Sequence, residues 1–495
     1  MFKKYPLENN KFYYILMNIT MAFVCVQPIF DLLSFLYIRG YIPIGISTFG
    51  KPLIIGVINI ILILTYKKNI VKHIISYGAY GILMVAHLLL LYGMDVDMSV
   101  ILHEARFMLN ILYMLICFFT FKILYNEAPD KDLFIRCLKK TLLFTFFGFI
   151  FIYFIALATG TSEKTYEYAD ALKRGYKGWL DSGQIFGHAM SMCLPFLMCY
   201  LLNNKAENKT VRTILKLSIV LPITVLCLLG TKVSYYMAVL VLFSQLVLEL
   251  YFAIKDKENT HYINSAICIV LFAVCLLVYP ITPVKHNIDI NNSVTSIQYE
   301  EDEISNIVEK EKNNLVSDKK NENDKNDNDS VGDDKISEAE KNDMWTTQAF
   351  EKLEQKYISG EIHPADMRNK QLFYNLEKFK LSDFKYKIFG IGYLNQKEMA
   401  IERDVLCVLF SFGIWGFALI LARPVLLWIK SAFLVLKNLF KCDIYTLCLF
   451  ESFSVFFFIS WFAGYTFIYT NFSIYLGIIM VLLIDSCQKL SIKRS

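Results

Sequence analysis

Charge is scarce in this sequence. Asp, Glu, Lys and Arg make up 19% of its 495 residues, below the roughly 25% usual in soluble domains. A soluble globule of this length would need more polar surface. Helices that cross a bilayer resolve the conflict, because lipid covers their apolar exterior. Cysteine is missing from the two long polar stretches, Gly160 to Gly183 and Ile281 to Lys387, although the chain holds 12. Cys25, Cys193, Cys275 and Cys407 lie in or beside apolar runs, where a small polarizable packing residue is at home. That distribution argues against a disulfide framework, and no Cys or His spacing of the metal-binding kind occurs. No metal and no cofactor are therefore expected. No cleavable signal core is expected either: MFKKYPLENNKFYY leads into an apolar run too long for one. No internal repeat is visible. The net charge of +5 is small, its placement matters more than its size, and no nucleic-acid partner is expected.

What the chain has is apolar length: 55% hydrophobic residues, with 40 Phe and 30 Tyr. A spanning helix needs about 20 mostly apolar residues. Such runs occur at Tyr14–Ile38, Ile42–Tyr66, His73–Met94, Ile101–Leu124, Leu138–Thr159, Gly183–Leu202, Val211–Leu229, Val233–Ile254 and Tyr262–Ile281. Three more follow at Val405–Ile429, Tyr445–Ile468 and Phe472–Cys487. The expected fold class is all-α, a polytopic transmembrane helical protein of about 12 spans. With the N-terminus in the cytoplasm and strict alternation, the inner segments hold about 23 basic residues and the short outer ones about six. Both termini are thus expected in the cytoplasm.

One connection departs from the short-loop pattern. Residues 282–403 form an outer loop of about 120 residues, far beyond the usual length. It separates nine spans in 1–281 from three in 404–495. Residues 300–343 are acidic, low in complexity and almost free of aromatics, which predicts a disordered insert. Residues 344–400 regain apolar spacing, with Phe350, Leu353 and Tyr357, then Leu372, Phe373, Leu376 and Phe379. These predict two short amphipathic helices. A long loop outside, after the ninth span, argues against a carrier built of two six-helix halves.

Three outer regions combine charge with turn residues. KRGYKGWLDSGQIFG sets Lys173, Arg174 and Lys177 beside Gly175 and Gly178. Glycine allows close backbone approach, and a guanidinium fork matches phosphate oxygens, so anion binding is the functional reading and a basic surface loop the plain one. Arg368 opens the second loop helix; alone it reads equally well as a solvated surface arginine. Glu402, Arg403 and Asp404 stand where the loop re-enters the membrane, as N-terminal carboxylates or as a general base. At membrane depth, Asp31 with Gln27 and Pro28, and Glu104 with Arg106, are polar residues of the kind that serve function or helix packing. His188 reads as a hydrogen-bonded interior histidine.

The order of these features resembles a known family. The RG loop (Arg174, Gly175) is followed by GTK (Gly230 to Lys232), a large outer loop with an arginine, GIGY (Gly390 to Tyr393), IERD (Ile401 to Asp404) and FSFGIWGF ending at Phe417. With QPIFD (Gln27 to Asp31), this is similar to the O-antigen ligase and polymerase superfamily, in its branch of Gram-positive capsule or teichuronic-type polymerases. The resemblance implies a glycosyltransferase C-like membrane enzyme. It would perform metal-independent, inverting transfer of a glycan from undecaprenyl diphosphate to a sugar hydroxyl on the outer face. Its partners would be the lipid-linked donor, an acceptor glycan, the bilayer and other polysaccharide assembly proteins. Arg174 and Arg368 fall where the family holds the diphosphate, with Lys177 nearby, and they are expected to converge. Many members place a histidine after the glycine motif. Here IERD stands there, so the base falls to Glu402 or Asp404. A flippase for lipid-linked oligosaccharide is the alternative; it would line a central cavity with charge from several spans and have short loops. A non-catalytic scaffold is the third reading.

Overall fold

The computed structural model describes residues 7–43, 45–66, 70–166, 172–204, 206–296, 337–362, 366–393, 399, 401–464, 466 and 469–492. The order begins α1 (Leu7–Cys25), α2 (Gln27–Ile38), α3 (Ile46–Thr65), α4 (Ile70–Gly93), α5 (Met98–Asn126) and α6 (Lys131–Ala158). After the short pair β1 (Glu163–Lys164) and β2 (Tyr176–Gly178) come α7 (Gly183–Leu202), α8 (Lys209–Leu217), α9 (Val220–Leu228), α10 (Lys232–Asp256), α11 (Asn259–Val278) and α12 (Pro283–Ser296). The chain continues with α13 (Glu338–Ile358), α14 (Met367–Leu381), α15 (Phe384–Phe389), α16 (Asp404–Lys437), α17 (Ile444–Phe462) and α18 (Thr470–Ile492).

Every apolar run of the sequence holds a helix, so the chain is an all-α polytopic membrane protein. Among the described residues, 10 spans are long and apolar enough to cross a bilayer, and the bent pair α1–α2 makes up to 11. The apolar part of α3, Gly50–Thr65, is shorter and accounts for the remaining run. Three runs need correction. Tyr14–Ile38 is two helices bent by 46°, with Pro28 in the first turn of α2, where a missing N–H costs nothing. Val211–Leu229 still forms one span, Lys209–Leu228, with a two-residue interruption between α8 and α9 ahead of Pro222, which cannot donate back to the Ser218 carbonyl. The run to Ile468 ends as a helix at Phe462, followed by Gly464 at φ +72°.

The chain divides into two compact units: Met1–Tyr80, Phe107–Ile288 and Leu419–Ser495 form the first, and Gly81–Arg106 with Asp289–Ala418 the second. In the first, α7 is buried along almost its whole length and is packed by α10, α17 and α18. It is rich in Gly, Ala, Ser, Cys and Met, and small residues let helices approach where lipid removes the hydrophobic drive for helix association. A side chain at Gly187 would overlap the Ser234 hydroxyl of α10. At the other end of α7, the buried Glu249 accepts from Asn203 and Gln245 at 3.0 Å each and from Asn264 at 3.2 Å, and lies 2.6 Å from His261 Nδ1. One carboxylate thus ties α7, α10 and α11 together with its lone pairs filled, the condition under which buried charge is tolerated.

In the second unit, α13 begins at Glu338, inside the stretch expected to be insert. Its start is set by a capping box, Ser337 with Glu340, which satisfies two free backbone donors at once. Residues 300–336 of that insert lie outside the described residues. The two expected amphipathic helices are α13 and α14. On α14 the buried face is largely polar: Tyr374 and Lys378 are interior, Asn375 donates to the Met399 carbonyl at 2.6 Å, and Glu377 pairs with Lys352 at 2.8 Å. Leu91, Met94, Ile101, Trp345, Tyr386 and Ile391 form a cluster that seats the loop helices on the ends of α4 and α5.

Candidate active site

In the first unit the RG loop is built on a small hairpin. Glu163 pairs with Gly178 and Lys164 with Tyr176, and Thr165 N–H donates to the Gly175 carbonyl at 3.1 Å. The loop then lies directly on the GTK turn before α10. Gly175 has φ +143° and Gly230 φ +76°; a side chain on either would overlap the other turn's backbone, at Leu229 O and Arg174 O respectively. Asn287 of α12 staples both turns, accepting from Arg174 N–H at 2.7 Å and donating to Arg174 O at 2.6 Å and Gly230 O at 2.9 Å. These glycines therefore serve chain-to-chain approach within the protein.

The Arg174 backbone is thus pinned at both polar atoms, while its side chain is exposed and has no hydrogen bond or ion pair among the described residues. A fixed root with an uncommitted guanidinium suits an anion that arrives from outside. Lys177 is differently placed. It pairs with Glu163 at 3.2 Å, and Arg39 pairs with the same carboxylate, so Lys177 braces the hairpin. Asp181, which the motif reading passed over, is half-buried ahead of α7. Burial pushes its carboxyl above the usual range and Asp31 adds to this, while Lys51 and Lys177 oppose it. Asp31 itself pairs with Lys51 at 2.8 Å, both buried. His188 is fully buried.

In the second unit, Arg368 and the IERD run come together. Arg368 Nε donates to Glu402 Oε2 at 3.0 Å, and Arg403 donates to Asn369 at 3.3 Å. Asp366 caps α14 by accepting from Asn369 N–H at 3.1 Å, which places Arg368 in the first turn. Glu402 is the counter-ion of Arg368; Asp404 is buried in the first turn of α16. On the inner face of α14, burial pushes the Lys378 ammonium down to about 7, with Asp343 opposing.

GIGY is held by a break in α16. Gly413 has non-helical angles, φ 67° and ψ −171°, which releases the carbonyls of Phe410 and Ser411. Ile391 N–H takes the first at 3.0 Å and Gly392 N–H the second at 3.1 Å. Gly390 lies against the same break with φ +93°. His87 and Glu104, 3.2 Å apart and fully buried, close the loop from the other side: His87 Nδ1 is 2.8 Å from Phe389 O, and Tyr393 N–H donates to Glu104 at 2.8 Å. His87 had no signal beyond being a lone histidine in an apolar run. No group of three or more His, Cys, Asp or Glu suited to a metal occurs among the described residues.

The family model for O-antigen ligase like membrane protein matches residues 10–489. The chain belongs to this family. No curated protein matches it closely enough to be counted. Membership in the O-antigen ligase family makes the chain an integral membrane protein of polysaccharide ligation or polymerisation, a glycosyl-transferring enzyme whose substrates are lipid-linked glycans.

Proposed function

We propose that this O-antigen ligase family member is an envelope polysaccharide polymerase or ligase of the Gram-positive branch. Its donor is a glycan on undecaprenyl diphosphate and its acceptor a sugar hydroxyl on the outer face of the cytoplasmic membrane. The observation that carries this reading is family membership over residues 10–489. The uncommitted side chain of Arg174 and the tethered one of Arg368 support it. In the proposed reaction the acceptor oxygen attacks the anomeric carbon from the face opposite the diphosphate, which inverts that centre. The bond to the diphosphate oxygen breaks, the acceptor's proton passes to a carboxylate, and undecaprenyl diphosphate leaves. Negative charge grows on the departing oxygen, and fixed guanidinium groups lower the barrier there without a metal. Arg174 and Arg368 are assigned the diphosphate, each to be tested by itself. Lys177 supports the Arg174 loop, Glu402 orients Arg368, and Asp404 is the proposed base.

Purified protein given a synthetic undecaprenyl-diphosphate-linked oligosaccharide should yield longer glycan and free undecaprenyl diphosphate, with EDTA without effect. Translocation of intact donor across a vesicle with no new linkage would replace this reading by the flippase. For orientation, a tag at Ser495 should be shielded in intact cells and a tag at Asn323 accessible; the reverse pattern would overturn the assignment of both termini to the cytoplasm.

A further inference from the structure

A cavity-lining cluster of cations lies in the first unit, at the ends of α4 and α5 that the basic-residue bias turns toward the cytoplasm. The cavity measures about 300 Å³, far above the ~10–15 Å³ that holds a single water. Lys72, Lys122 and Arg423 line it, with His73 and Ser76, and Glu127 is the only carboxylate among the described residues that line it. None of the three cations forms an ion pair among the described residues, and neither does Glu127.

Arg423 is held in a fixed pose. Its guanidinium stacks 4.3 Å from the centre of the Phe119 ring, and Nη2 donates to Ser76 Oγ at 2.5 Å. Its other terminal nitrogen, Nη1, is buried and has no hydrogen-bond partner, and His73 Nδ1 is in the same condition. A buried donor left unmade costs on the order of 1–3 kcal/mol, more when the group is charged, so the Arg423 Nη1 donor calls for a ligand that accepts. Ordinary inside-positive lysines need no cavity, because they reach water or headgroups by extending their stems. Here three cations line one partly open cavity, and a planar guanidinium held in a fixed pose suits the oxygens of a phosphate. Basic pockets between spans on the cytoplasmic side suit phosphate-bearing headgroups.

We propose that this cavity binds a phosphate group, supplied by an anionic lipid headgroup or by free phosphate, with Arg423 as the oriented donor and Lys72 and Lys122 as flanking charges. The proposal is independent of the glycosyl-transfer reading. The experiment uses the delipidated full chain in neutral detergent and follows its Tm. Phosphatidylglycerol, phosphatidylcholine and inorganic phosphate are added in separate arms at matched ionic strength. A rise with phosphatidylglycerol but not phosphatidylcholine assigns the lipid; a rise with inorganic phosphate alone assigns the free ion. In either case Arg423→Gln and Lys122→Gln should raise the Kd at least tenfold. Lys72→Gln and Lys122→Gln leave the Ser76 bond and the Phe119 stack intact, so they report on binding even if Arg423→Gln fails to fold. No rise with either phosphate source, or an unchanged Kd in both lysine variants, would overturn the proposal.

Discussion

Arg368→Ala is expected to cut polymer formation about a hundredfold while membrane abundance stays at the wild-type level, and Arg174→Ala to do the same. Loss of one preorganised contact to developing negative charge costs on the order of 3 kcal/mol, which is that factor in rate. The stability side of the ledger is small. The Arg368–Glu402 pair has side chains 45% and 31% exposed, and ion pairs that open to solvent contribute about 0–1 kcal/mol. Arg174 makes only backbone bonds among the described residues, which alanine retains. Lysine at either position keeps charge but loses the fork, so those variants should be intermediate at best. The carboxylates should divide. Glu402→Gln keeps an oxygen for Arg368 Nε and should be mild, whereas Asp404→Asn removes the proposed base and should be inactive. The measurement is polymer length on gels with membrane abundance in parallel; wild-type polymer from both alanine variants would sink the mechanism.

Gly390→Ala is expected to do more damage, and of another kind. The position has φ +93°, and a methyl group there would overlap the Ser411 carbonyl and the Phe412 backbone. Those atoms belong to the break in α16 and cannot swing aside as a flexible side chain would. Strain of about 1–3 kcal/mol from the backbone angle adds to displacement of the GIGY bonds to Phe410 and Ser411, so both Tm and abundance should fall along with polymer. Gly360→Ala is the control. Its φ of +71° is similarly unfavourable, but nothing lies within 4 Å of the added carbon, so only the angular cost remains. Equal Tm losses in the two variants would show that the contact with α16 carries no weight.

The helices were legible because lipid imposes a minimum apolar length, and each hydrophobic run did hold one. The breaks were less so: Pro28 and Pro222 mark two of them, but a proline within an apolar run does not say whether the helix bends or ends. The start of α13 was written in Ser337 and Glu340, yet acidic composition there outweighed the cap. Arg174 could be picked out from charge placed where charge is unusual, whereas Arg368 was singled out only by the order of the motifs around it. Their partners could not be picked out. Glu163 for Lys177, Glu402 for Arg368 and Asn287 for the Arg174 turn depend on which segments the fold brings side by side, and nothing local in the chain encodes that. The glycine of the RG loop was read as room for a ligand, whereas Gly175 makes room for Gly230 of the same chain; Gly390 likewise lies against the break at Gly413.

Those paired glycines bear on how the enzyme's residues are sorted by genetics. A saturation screen scored on surface polymer would place Gly175, Gly230, Gly390 and Gly413 beside the arginines as intolerant positions, and the ranking would mix chemistry with assembly. Scoring each variant twice, for polymer and for protein remaining in the membrane, separates them. Glycine variants should lie on the diagonal where both signals fall together, and residues that act on the substrate should lie off it.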